Sequence, residues 1–200
     1  MTLADRDKWE EKYAVTSLSD ISAPDAWLLD CVRELNPGRA LDLACGLGQN
    51  SIALAELGWQ LDAVDISPRG LALASEQANQ HGVTVNWICA DLDVWEPDEV
   101  HYDLLIVFRF LDWSRIPAIV TQALRPGGTL LYETFAASQM RRTDNHLKNP
   151  GFTVREGDWE KYFPDLDIVF SQRVVLPNRD VARLRAEKAS GGEAAPRGIL

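Results

Sequence analysis

The sequence predicts an α/β domain built on a doubly wound, mostly parallel sheet, and three observations carry that reading. Strand-like and helix-like segments alternate between residues 39 and 135, the order in which crossover helices join parallel strands. A glycine-rich turn, Gly46-Leu47-Gly48, follows the first of these strands, where such sheets turn tightly into a helix. Residues 103–108, Asp-Leu-Leu-Ile-Val-Phe, are nearly all apolar, as a strand covered on both faces must be.

Taken in order, residues 1–22 are charged, with Trp9 and Tyr13 four apart and so on one helix face. A second helix begins near Ala23, with Pro24 in its first turn. Its apolar stripe is Trp27, Leu28, Val32 and Leu35, and Asn36-Pro37-Gly38 ends it. Residues 39–43 form the first strand. A helix over 50–57 stops at Gly58, and a second strand covers 60–65. Pro68 opens a helix that runs to His81 and stops at Gly82. Strands follow at 84–89, 103–108 and 129–135. The last two are separated by a helix at 116–124 and a turn at Arg125-Pro126-Gly127-Gly128.

Residues 136–152 are polar and without period, too long for a plain connection, and are expected to form an active-site lid. A short helix at 156–162 is followed by an antiparallel hairpin, 167–176 and 180–188, around Pro177-Asn178. The Gly/Ala/Pro-rich residues 189–200 read as a flexible tail, which leaves 1–188 as a single domain.

Composition narrows the function. Hydrophobic residues at 46% and charged residues at 25% are an ordinary soluble mixture. A formal net charge of -10 disfavours nucleic acid as a partner, because an acidic surface repels phosphate. Cys31, Cys45 and Cys89 are widely spaced, with no C-x-x-C pair. That argues against a disulfide framework or a zinc site, and for the reducing cytoplasm. No apolar leader opens the chain, and no run approaches the roughly 18 apolar residues of a membrane span.

The strongest chemical signal is Asp42-Leu43-Ala44-Cys45-Gly46-Leu47-Gly48 at the end of the first strand. Two glycines there allow a sharp turn and close approach to a ligand. A dinucleotide fingerprint would place a third glycine where Ser51 stands, and a lone G-x-G is weak. Asp65, ending the second strand, is placed to accept both ribose hydroxyls. Asp91, just after the third strand, is placed to accept from an adenine amino group. Each acid alone is equally a helix cap or turn residue. The ordered set at strand ends is what favours a nucleoside ligand.

The run Asp-Leu-Ala-Cys-Gly-Leu-Gly-Gln-Asn resembles motif I of class I S-adenosylmethionine methyltransferases. Ala-Val-Asp-Ile-Ser-Pro resembles their second motif, Ala-Asp-Leu their third, and Leu-Arg-Pro-Gly-Gly-Thr-Leu a later segment. Asp-Lys-Trp-Glu-Glu-Lys-Tyr ahead of this core is similar to the tellurite-resistance-type methyltransferases. The resemblance implies a seven-stranded sheet in the order 3-2-1-4-5-7-6, with the seventh strand antiparallel. It implies S-adenosylmethionine as co-substrate, with contacts from Asp42, Gly46, Asp65, Ile66, Asp91, Leu92 and Phe108. Trp9 and Tyr13 would cover its methionine end; plain docking of the first helix is the competing account of both.

Methyl transfer needs in-line positioning and exclusion of water more than it needs acid–base help. Arg109, Asp112 and His146 are the substrate-side candidates, with Trp113, Tyr132, Glu133, Arg141 and Arg142 behind them. A surface ion pair is the ordinary account of Arg109 and Asp112, and solvation that of a lone loop histidine. The histidine that the related group carries after strand four is absent from Phe110-Leu111-Asp112-Trp113. A small acceptor that is already ionised, a thiolate or reduced chalcogen anion, would therefore need only a cationic anchor from Arg109 and the Arg141–Arg142 pair. A non-catalytic adenosylmethionine-binding module and an NAD-linked oxidoreductase are the alternatives.

Overall fold

The fold is that of a computed structural model, which describes residues 3–97 and 102–190. Strand β1 (Arg39–Leu43) runs parallel to β2 (Gln60–Asp65) on one side and to β4 (Tyr102–Phe108) on the other. Strand β3 (Asn86–Cys89) extends the sheet beyond β2, and β5 (Leu124–Phe135) extends it beyond β4, both in parallel. Strands β6 (Leu166–Val175) and β7 (Asp180–Lys188) form an antiparallel hairpin, and β7 lies antiparallel against β5. The sheet order is β3-β2-β1-β4-β5-β7-β6, the Rossmann-like order the motifs implied.

Alternation along the strands divides the core in two. Leu41, Leu43, Leu105 and Val107 point to the face covered by α5 (Ile116–Ala123) and α6 (Asp158–Tyr162). Ala40, Leu104, Ile106 and Leu131 point to the other face. That face is covered by α2 (Ala26–Val32), α3 (Gln49–Glu56) and α4 (Pro68–His81). Burial of each large aliphatic side chain contributes about 1.5–3 kcal/mol. The remaining helix, α1 (Leu3–Ala14), packs on α4.

Side-chain caps fix the starts of two helices. Asp25 caps α2, its carboxylate accepting from the Trp27 N–H at 3.0 Å, so Pro24 precedes the helix and is not in its first turn. Ser67 caps α4 by accepting from the Gly70 N–H at 2.9 Å, with Pro68 in the first turn and a left-handed Gly82 at the end. Residues 125–128, expected as a turn, lie within β5, and the β4–β5 register slips opposite them, between Tyr102 and Leu104.

The segment 136–152 contains two 3₁₀ turns, Ala137–Arg141 and Pro150–Phe152. Its first part is fastened to the start of β7. The Ser138 hydroxyl donates to Asp180 at 2.6 Å, the Asp180 N–H donates to the Gln139 side chain at 2.7 Å, and Arg142 reaches Asp180 at 3.2 Å. These ties are polar, so no apolar period marks them in the sequence. Of the expected tail, residues 191–200 lie outside the described residues. Among the described residues, no helix is long and apolar enough to cross a membrane.

Candidate functional site

The site is built where β1 turns into α3. Ala44, Gly46 and Gly48 all have positive φ (57°, 59° and 73°), so the chain doubles back within one turn. At Gly48 a Cβ would stand 2.5 Å from the Trp87 ring and 2.9 Å from Ala74, so packing as well as conformation requires glycine. The Gly46 N–H donates to Asp65 at 2.8 Å, and the Ser67 N–H donates to the other carboxylate oxygen at 2.9 Å. Asp65 thus stitches the β1 turn to the end of β2. Burial raises its pKa in spite of these backbone bonds.

Asp42, 2% exposed, accepts from the Ser51 hydroxyl at 2.6 Å. Ser51 stands where a dinucleotide fingerprint has its third glycine; here the position supplies a side-chain donor instead. Burial pushes the Asp42 carboxyl up to about 7. The Ser51 bond opposes the rise, the nearby Asp65 adds to it, and Arg109 opposes it again.

Helix α1 lies over this turn. Trp9 and Tyr13 stack at 5.7 Å, and Tyr13 is only 6% exposed. Its ring lies so close to Gly70 that a Cβ there would stand 2.8 Å from it. Burial raises the Tyr13 pKa. Glu10 accepts from the Ser67 hydroxyl and from the Arg69 N–H, placing a carboxylate at the start of α4. The Ser67 bond is the main reason its pKa is lowered, and a helix start favours negative charge.

Between α1 and the strand ends is a cleft of about 330 Å³, at the small end of the range for small-molecule sites. Seven of the sequence candidates line it: Trp9, Tyr13, Asp42, Gly46, Asp65, Phe108 and Arg109. Arg109 holds a left-handed backbone (φ 60°), fixed by its N–H donating to the Glu133 carbonyl at 2.7 Å. Such a conformation costs about 1–3 kcal/mol outside glycine and clusters at functional positions.

Lys12 and Asn50 are among the cleft residues that were not singled out from sequence. Lys12 is one charge in a charged helix, and nothing in its spacing marks it. Asn50 ends the motif I run; its side-chain oxygen accepts from the Asp25 N–H at 2.9 Å, which orients the amide.

The other candidates lie outside the cleft lining. Ile66 is buried beside Asp65, and Leu92 is buried in the core. Asp91 accepts from the Asp93 N–H at 2.9 Å. Asp112, expected to face the acceptor, instead accepts from the Ser114 N–H and hydroxyl at 2.8 and 2.6 Å. A short polar side chain satisfied by its own turn is the physical reason. Trp113 stacks on Tyr162 at 4.1 Å, and Tyr132 is buried in the same aromatic cluster, where burial raises its pKa. Glu133, 0% exposed, accepts from Arg183 at 2.8 Å, with Arg179 at 3.6 Å. Arg142, expected as an anchor for the acceptor, is held by Asp144 and Asp180; Arg141 is exposed. His146, exposed, packs edge-on against Phe135 at 5.8 Å. Among the described residues, no group of three or more His, Cys, Asp or Glu is placed to hold a metal ion.

Residues 40–128 match the family model of a methyltransferase domain. The chain is 25% identical over 168 residues to the probable S-adenosyl-L-methionine-dependent methyltransferase TehB of Haemophilus influenzae, covering 82% of this chain and 56% of that protein. It therefore spans little more than half the length of that relative. The crystal structure of Haemophilus influenzae TehB superposes with a TM-score of 0.66 at 22% identity, over 92% of this chain and 66% of that one. The N-methyltransferase NodS of Bradyrhizobium japonicum, in complex with S-adenosyl-L-homocysteine, superposes with a TM-score of 0.69 at 17% identity, over 92% and 97%. Sheet order and sequence match make the chain similar to the class I S-adenosylmethionine-dependent methyltransferases. Within that class its pattern is similar to TehB.

The cleft suits that co-substrate. Two buried carboxylates, Asp42 and Asp65, face it, and the turn at Gly46 leaves a surface without a side chain. An ammonium group and ribose hydroxyls are the donors such carboxylates take.

Proposed function

We propose that this chain transfers the methyl group of S-adenosylmethionine to a small-molecule acceptor whose nucleophile arrives already ionised, such as a thiolate or a reduced chalcogen anion. The observation behind this reading is how the acids in and near the cleft are engaged. Asp42 is bonded to Ser51, and Asp65 to the Gly46 and Ser67 N–H groups. Asp112 is turned to Ser114 and Glu133 to Arg183, and His146 lies outside the cleft lining, edge-on to Phe135. A protonated alcohol or amide would need a base within hydrogen-bond reach, whereas an ionised nucleophile needs only alignment.

In this reading Asp42 takes the ammonium of the methionine moiety, Asp65 the ribose hydroxyls, and Asp91 with the Leu92 N–H the adenine edge. Ile66 and Phe108 pack beside the nucleoside, and Tyr13 covers the methionine end. S-adenosylmethionine supplies a methyl group on an already activated sulfur. The protein's part is to orient it and keep water out, with α1 as cover. Residues 1–188 act as one domain, and the three free cysteines suit the cytoplasm.

The test is turnover of labelled S-adenosylmethionine with a panel of thiols, selenite, alcohols and amides across pH. The proposal expects rates that follow each acceptor's own ionisation. A profile fixed by an enzyme group, or efficient methylation of an alcohol, would reject it. Tight adenosylhomocysteine binding with no turnover of any acceptor would favour a non-catalytic binding module.

A further inference from the structure

Lys12 and Arg109 bring two positive charges to one cleft from different elements, Lys12 from α1 and Arg109 from the end of β4. In a chain of net charge -10, several cations elsewhere are paired. Arg115 meets Glu96, Arg125 meets Asp103, Arg142 meets Asp180, and Arg183 meets Glu133. Among the described residues, Lys12 and Arg109 have no carboxylate within salt-bridge distance and no side-chain hydrogen bond. Lys12 lies over the rings of Trp9 and Tyr13, at 4.3 and 5.8 Å. Burial first, and then the charge of Arg109, lower the Lys12 pKa, so the two cations act on one another. Of the acids lining the cleft, Asp42 accepts from Ser51, Asp65 from the Gly46 and Ser67 N–H groups, and Asp20 from the Ser17 N–H and hydroxyl. Both side chains are exposed at the cleft's rim, and like charges gathered there are stabilised by an anion between them. The left-handed backbone at Arg109, fixed through the Glu133 carbonyl, aims a long cationic side chain from the strand end where the sheet meets the cleft.

We propose that Lys12 and Arg109 clasp an anionic group of the methyl acceptor, a carboxylate or comparable oxyanion carried beside its nucleophile. The proposal rests on the methyl-transfer reading of the same cleft and names the acceptor's charge. Because Lys12 belongs to α1 and Arg109 to the sheet, an anion held by both ties the covering helix to the sheet.

The experiment is calorimetry on the protein saturated with adenosylhomocysteine. It is titrated with 3-mercaptopropionate and, separately, with the matching amide; benzoate and benzamide form a second pair. The carboxylates are expected to bind about tenfold or more tighter than the amides. That preference should fall below about threefold in Lys12→Gln/Arg109→Asn, chosen because asparagine accepts a left-handed backbone. Lys12→Gln alone, outside the strained turn, should lose part of the preference and guards against misfolding of the double variant. Equal binding of acid and amide by the unaltered protein overturns the proposal. So does a double variant that loses adenosylhomocysteine affinity by the same factor while binding its decarboxylated analogue normally, because the cations would then hold the cofactor's carboxylate. Neither arm needs turnover. A carboxylate preference without methylation of any acceptor would leave the clasp standing and refute the methyl-transfer reading.

Discussion

The Tyr13 hydroxyl stands 3.1 Å from the point that a Cβ on Gly46 would occupy, so the covering helix and the β1 turn meet closely enough that a side chain there must push Tyr13 aside. Gly46 also carries a φ of 59°. Gly46→Val therefore meets two obstacles, an unfavourable backbone and crowding against the Tyr13 hydroxyl. Adenosylhomocysteine binding is expected to be lost while far-ultraviolet circular dichroism stays native, since the turn lies at the sheet's edge and not in its core. Normal affinity in calorimetry would remove this turn from the cofactor site.

Asp65 holds the same turn from the other side. Asp65→Ala leaves the Gly46 and Ser67 N–H groups without their acceptor. Each such loss costs about 1–3 kcal/mol where water is excluded. Two effects are expected together: a lower midpoint of denaturation without ligand, and cofactor affinity reduced at least about tenfold. Asp65→Asn, which keeps one acceptor oxygen, should fall between. A variant destabilised but unchanged in affinity would leave Asp65 as a brace for the turn alone.

The parallel half of the sheet was legible because burial on both faces writes itself into short apolar runs such as Leu104 to Phe108. The strand-end acids were legible for a related reason: a parallel sheet puts its turns at one edge. Less legible was what each acid does there. Asp112 had a functional and a local account, and local bonding to Ser114 uses its carboxylate. The polar cluster behind the site, Asp25 with Asn50 and Arg179, and Glu133 with Arg179 and Arg183, joins residues far apart in the chain. No spacing rule reaches that far. Lys12 was hidden for the opposite reason, being one cation among many in α1.

That cluster yields a stability prediction. Glu133 is fully buried, and Arg183 and Arg179 converge on it. Glu133→Ala leaves two arginines short of their counter-ion. Removing one partner of a buried pair costs about 3–5 kcal/mol, and the partial exposure of both arginines argues for the lower end. Urea denaturation should show the loss, while the pH dependence of turnover keeps its shape. A stable variant with an altered pH profile would instead make Glu133 the base that the proposed mechanism omits.

Asp42 links the site to pH. Its carboxyl is raised to about 7 by burial, against 3.8 for the unperturbed group. A raised pKa means that the folded state holds the proton more tightly than the unfolded chain. The stability this contributes is complete below about pH 3.8 and is lost as pH rises through about 7. Asp42→Asn, neutral throughout, should therefore raise stability relative to the unaltered protein more at pH 8 than at pH 5. The co-substrate should reverse the burial effect, because an ammonium group beside Asp42 favours its ionised form and lowers its pKa. Binding of adenosylhomocysteine near pH 6.5 is then expected to release protons. Calorimetry in buffers of different ionisation enthalpy measures this directly, and the release should vanish in Asp42→Asn along with much of the affinity. Binding with no proton release in the unaltered protein, at full affinity, would show that the ammonium group sits elsewhere in the cleft.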